Sequence, residues 1–231
     1  IIEASDTDIT EYFRFLQNQE RLRAGEILNS LTDSKLEKYL QRIEDLDSFC
    51  KIIGFNNERK EFDKLFYNII GVFDNKVSLG APDMTIRKYV TTTDNIIEGK
   101  NEVEMLLFQI NQITNENRGK IILTGMKKRY IKFLMMLMGF GLVDFTVDTE
   151  KKLKALEKID NKLSVFFSSK PGVVGEEFEN YSNDVIEEFR AIALISKGAQ
   201  TLERVKNRME ILAYYVENIG EKERTSGILI K

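Results

Sequence analysis

NRGKIILTGMKKRYIKFLMMLMGFGLVDFTVD, residues 117–148, holds the densest basic cluster in the chain and its longest apolar run. Between Arg118 and Lys132 lie six basic residues (Arg118, Lys120, Lys127, Lys128, Arg129, Lys132) and no acidic one. On a helix starting at Met126, 3.6-residue spacing puts Lys128, Arg129 and Lys132 on one side. Met126, Tyr130, Ile131, Leu134, Leu137 and Met138 then cover the other. Lys127 points toward the apolar side but lies in the first turn, where a long stem can snorkel. The stretch therefore predicts a basic helix over 126–139. Ile121–Leu123 and Leu142–Val147 are the segments with strand character, enough for at most one short β-hairpin.

The apolar run from Ile131 to Val143 is interrupted by Lys132 and falls short of the ~20 residues that cross a bilayer. It predicts a buried core helix and no membrane partner. Met135, Met136 and Met138 could alternatively line an adaptable partner groove, although core filling is the ordinary use of methionine.

Outward from this stretch the chain reads as amphipathic helix. Ile9, Tyr12, Phe13 and Leu16 follow the spacing of one helical face, with Gly25 near a break. A second stripe runs Leu36, Tyr39, Leu40, Ile43, Leu46, Phe49, Cys50, Ile53 and stops at Gly54. Asn56 or Asn57 opens a third helix with an aromatic-rich face, Phe62, Leu65, Phe66, Ile69, Ile70 and Phe73. Residues 1–75 are thus expected to form an N-terminal bundle, acidic by ten Lys/Arg against fourteen Asp/Glu over 1–73. Residues 76–100 carry turn formers and predict an irregular joint, in which Thr85–Val90 is a short helix or a short strand.

Residues 101–231 are expected to form a second helical subdomain packed on the first. Asn101 caps a helix carrying Val103, Leu106, Leu107, Ile110 and Ile113. Asp148 or Thr149 starts another with Leu153, Leu156, Ile159, Leu163 and Phe166 inward. SSKPGVVG (168–175) is a loop, and two long helices ending near Gly198 and Gly220 close the chain. The fold class is all-α, a multi-helix bundle of two packed subdomains.

Composition excludes several chemistries. The chain has no histidine, which removes Ser-His-acid and Cys-His nucleophile systems and histidine-ligated zinc. Cys50 is the single cysteine, so no intramolecular disulfide or thiolate zinc site can form, and a reducing compartment (cytoplasmic, or nucleoid or nuclear) is expected. No phosphate-cradling Gly-rich loop occurs. Net charge is −3, so any nucleic acid must bind a local patch. The chain opens on Ile1 without methionine, as a trimmed domain would. Carboxylate chemistry, phosphate binding by Lys and Arg, and protein contact remain. No cofactor and no metal are expected.

Helix, short strand, basic helix and GLVDFTVD, over residues 101–150, resembles part of a winged helix. That resemblance implies Met126–Gly139 as recognition helix and Gly141–Val147 as first wing strand, without a second helix between Ile113 and Met126. Pro82-Asp83 followed by Glu98-Gly99-Lys100 is similar to the PD-(D/E)xK nuclease pattern. It implies Asp83 and Glu98 as ligands of a divalent cation and Lys100 as activator of water. Arg204, Lys206, Asn207 and Arg208, with Lys197, form a second basic segment that could extend a phosphate-binding surface.

The leading expectation is a non-enzymatic nucleic-acid-binding module using Arg118, Lys120, Lys128, Arg129 and Lys132, whose cations would neutralise phosphates. The alternative is a helical scaffold or adaptor domain that binds protein through an apolar face. The remote alternative is the metal-dependent nuclease. The two main readings separate on where those five cations sit, because pairing with the acidic N-terminal bundle would remove them from solvent.

Overall fold

The computed structural model describes residues 36–92, 100–168, 182–193 and 201–225, with the side chains of 165–168 and 219–225 excepted. The helix expected over residues 8–28, Glu98, the 169–175 loop and Lys197 lie outside them. Among the described residues the chain is all-helical, with no strand. The helices are α1 (Glu37–Leu40), α2 (Leu46–Ile52), α3 (Glu61–Phe73), α4 (Asp83–Thr92), α5 (Asn101–Glu116), α6 (Lys128–Gly139), α7 (Thr149–Ser168), α8 (Asn183–Ala193) and α9 (Leu202–Thr225).

The apolar half of the 117–148 stretch is the hub. Helix α6 packs against α3, α5, α7 and α9. Tyr130, Ile131 and every residue from Phe133 to Gly139 are buried. Each large apolar side chain buried in this way contributes roughly 1.5–3 kcal/mol relative to an exposed one. Met135, Met136 and Met138 are therefore core, each 0% exposed. Gly139 lets the neighbours close in, since a Cβ there would stand 2.3 Å from Phe73 Cζ and 3.0 Å from the Glu102 carbonyl. Helix α3 is nearly as enclosed, with only Lys64 partly open between Glu61 and Phe73.

The single stripe from Leu36 to Ile53 is split into two helices. Asp45 ends the turn between them and caps α2, accepting from the Ser48 N–H at 2.9 Å and the Ser48 hydroxyl at 2.7 Å. The backbone groups freed at the break go to α5. The Asn111 amide donates to the Arg42 carbonyl at 3.0 Å, and its oxygen accepts the Glu44 N–H at 3.0 Å. The apolar period survives the break because both short helices face the same core. Between α2 and α3 a 3-10 turn over Glu58–Lys60 holds Arg59 and Lys60 at positive φ, while Asn57 Oδ1 accepts the Phe62 N–H at 2.8 Å.

The described residues form no hairpin, within the bound of at most one. Residues 120–124 are coil between Gly119 (φ 79°) and Gly125 (φ 69°), whose left-handed backbone ends any strand. The coil bonds to a helix end instead of a strand: Leu123 N–H donates to the Ile52 carbonyl at 3.3 Å and Met126 N–H to the Gly54 carbonyl at 2.9 Å. Leu142–Val147 is a run of turns. There the buried Gln109 of α5 takes the part a second strand would play. Its oxygen accepts the Phe145 N–H at 2.9 Å, and its NH2 reaches the Val143 carbonyl at 3.2 Å and the Met138 carbonyl at 3.4 Å. With no strand at either place, the wing of the winged-helix resemblance is missing.

Thr85–Val90 lies within α4, so part of the 76–100 segment is regular. The buried apolar cluster runs from Leu36 to Val216, and α3 meets α6 and α5 within it.

Candidate interaction surface

The five cations of the expected basic patch lie in different environments. Lys128 and Arg129 open α6, where the positive end of the helix dipole disfavours cations. Two carboxylates come to that turn. Lys128 Nζ lies 2.6 Å from Glu61 Oε2, at the start of α3. Arg129 donates through Nε to Asp160 Oδ1 at 2.5 Å, and through Nη2 to the Asp160 carbonyl at 2.5 Å and Ser164 Oγ at 2.9 Å. Asp160 is 3% exposed, so this is a buried, multiply bonded ion pair between α6 and α7. The carboxylates offset the guanidinium and ammonium charge and themselves favour the helix N-terminus.

Lys132, one turn on, is partly buried and donates to the Leu79 carbonyl at 2.8 Å. Burial, reinforced by the neighbouring Lys64, pushes its amine down to about 8. It does not face solvent beside Lys128 as the helical projection placed it.

Arg118 and Lys120 remain outside. Both are exposed in the coil after α5, with Lys127 at its far end. Arg118 lies 3.7 Å from Asp45 with its side chain 65% exposed, a loose pair. Next to Lys120 in the chain is Ile121, 71% exposed. The coil is held from beneath by buried Leu123 and by the two backbone bonds to the end of α2. Gly54 makes that close approach possible: it has φ 63°, and a Cβ there would stand 2.4 Å from the Leu123 carbonyl carbon. The result is a supported loop that exposes Ile121 and, along the same stretch, Arg118, Lys120 and Lys127. The basic count was legible in the sequence. The exposure of Ile121 was not, because the same hydrophobic triplet, Ile121-Ile122-Leu123, reads as a buried strand.

Beside this loop, Lys120 also borders an open cleft of about 630 Å³ lined with Glu116, Asp148, Glu150, Lys151 and Lys154. Its charges are mixed, and Lys154 is taken by Glu150 at 2.5 Å. An exposed apolar pair, Met105 and Phe108, lies one turn apart on α5.

Of the nuclease-like residues Glu98 lies outside the described ones, and Asp83 and Lys100 engage opposite ends of α3. Asp83 begins α4 and pairs with Lys64 at 2.5 Å. Lys100 donates to the Phe73 carbonyl at 2.7 Å and lies 3.3 Å from Asp74, so it serves the C-terminus of α3. No group of three or more potential metal-ligating side chains occurs among the described residues. In the second basic segment Arg204 and Lys206 are exposed on α9. No helix among the described residues is long and apolar enough to cross a membrane.

No family model, no curated protein and no solved structure matches the chain.

Proposed function

We propose that the chain is a non-enzymatic helical scaffold domain that binds a protein partner through the loop spanning Arg118 to Lys127. The observation that carries this reading is Ile121, 71% exposed in a loop that is anchored to the end of α2 and also carries exposed Arg118, Lys120 and Lys127. An exposed aliphatic side chain on a loop that carries three exposed cations fits a protein segment that offers an apolar contact and acidic neighbours.

The nucleic-acid reading has less behind it. Of its five residues, Lys128, Arg129 and Lys132 are engaged by Glu61, Asp160 and the Leu79 carbonyl. Arg118 and Lys120 remain, with Lys127, and the loop has no aromatic side chain on which a base could stack.

A photo-crosslinker placed at position 121, with one at exposed Val147 as control, tests the proposal in extracts of the source cells. The expected result is a discrete protein adduct at 121 alone, lost when Arg118 and Lys120 are changed to Glu. A parallel titration with DNA and RNA at two salt concentrations discriminates the alternative. Saturable binding that falls steeply with salt and disappears in R118E/K120E would replace the scaffold reading with the nucleic-acid one.

A further inference from the structure

Helix α5 leaves an apolar face open between two banks. At about 100° per residue, Glu104, Asn111 and Asn115 lie to one side of Phe108 and Met105 lies to the other. The first three all reach the turn between α1 and α2. Arg42 donates to Glu104 at 2.8 and 2.5 Å, Asn111 bonds the backbone of Arg42 and Glu44 at 3.0 Å, and the Asn115 amide donates to Glu44 Oε2 at 3.1 Å. On the other side the neighbour is Gly141, where a Cβ would stand 4.0 Å from Met105 Cγ and Cε. Between these banks Phe108 is 56% exposed and Met105 42%. Arg42 offsets the Glu104 charge at the rim.

The described residues begin beside this face. Leu36 is six residues before Arg42 in the chain, at most ~20 Å away. Residues 1–35 precede it and lie outside the described residues. Among them Ile9, Tyr12, Phe13 and Leu16 recur with the spacing of one helical face. We propose that residues 9–16 of this chain dock on α5, laying that apolar quartet over Phe108 and Met105.

Reach, chemistry and charge all favour this occupant. The 19 residues from 17 to 35 span ~28 Å as helix and roughly twice that when extended, enough to bring the quartet to α5. Two aromatic rings suit an exposed phenyl ring, and the Met105 thioether adapts to either. Glu11 and Arg14 are the charged residues of 9–16 and cancel, which suits a rim where Glu104 is already paired. The Ile121 loop is a poorer seat, because it exposes one aliphatic side chain with three cations along the same stretch. A second copy of the chain competes at a disadvantage, since a short tether gives its own segment an effective concentration on the order of millimolar.

The test uses the purified full chain with a benzophenone amino acid in place of Phe108. A control chain carries it in place of Met84, which is 82% exposed at the start of α4. After irradiation, adducts are sized on a denaturing gel and mapped by peptide mass spectrometry. Position 108 is expected to give a within-chain adduct to residues 9–16, with a yield independent of protein concentration. Position 84 is expected to give none to that segment, and the adduct from 108 is expected to be lost in I9D/F13D. The proposal is overturned by no adduct at 108, by one to a second copy or to another part of the chain, or by adducts to 9–16 from both positions. An adduct that persists unchanged in I9D/F13D overturns it too. The mapping from 108 is made in a chain of otherwise unchanged sequence, so it stands even if I9D/F13D fails to fold.

Discussion

Arg129 and Lys128 are adjacent, carry the same charge and pair with carboxylates at similar distances, yet their surroundings separate them. The Arg129 pair has side chains 19% and 5% exposed, whereas Lys128 is 54% exposed. Truncating Arg129 leaves the Asp160 carboxylate buried without its counter-charge. R129A is expected to cost roughly 3–5 kcal/mol in chemical denaturation. K128A should cost about 1 kcal/mol or less. Asp63 is the opposite case, a buried acid at 2% exposure whose Oδ1 has no hydrogen-bond partner. Burial raises its pKa, against the opposing pull of Lys60 and Asn57. The folded state therefore binds this proton more tightly than the unfolded chain does. Between the unfolded pKa of ~3.9 and the higher folded value, ionisation of Asp63 takes stability away as pH rises. D63N removes that dependence. Its stability advantage over wild type should be largest near neutral pH and should shrink as pH falls through that window, as pH-dependent urea denaturation would show.

At the scale of elements, the segments that resemble strands depend on contacts distant in sequence. The supported loop rests on Gly54, where an added Cβ meets Leu123 backbone at 2.4 Å and the backbone is left-handed. G54A combines a clash that backbone must absorb with the ~1–2 kcal/mol of left-handed strain for an L residue. G119A carries the strain alone, because nothing lies within 4 Å of its Cβ position. G54A is thus expected to be the more destabilising in thermal unfolding. It should also raise hydrogen exchange at the Leu123 and Met126 amides, which G119A should leave protected. Helix positions were legible because their apolar period is local, as in α5, where Val103, Leu106, Leu107, Ile110 and Ile113 are all buried. The break between α1 and α2 was not, since both sides keep one period and the capture of Arg42 and Glu44 by Asn111 depends on an element over sixty residues away.

Across the molecule, α6 touches α3 on one side and α5, α7 and α9 on others, and the buried cluster continues from Leu36 to Val216. The expected units, 1–75 and 101–231, would share that core wherever both are described. We expect one cooperative denaturation transition, coincident by circular dichroism and tyrosine fluorescence. Two separated transitions would instead mean that the two units unfold independently. The sequence by itself determined the all-α class, the central burial of the 131–139 run and the exclusion of histidine and disulfide chemistry. These follow from composition and from a period that each helix carries within itself. Only the tertiary structure decided what the basic cluster does. A helical projection ranks Lys128, Arg129 and Lys132 as one solvated face. Glu61, Asp160 and the Leu79 carbonyl come from other helices and a distant turn, and electrostatic partners at that separation leave no periodic trace in the chain. The same holds for Ile121, whose exposure follows from the way Gly54 and Ile52 receive the loop beneath it.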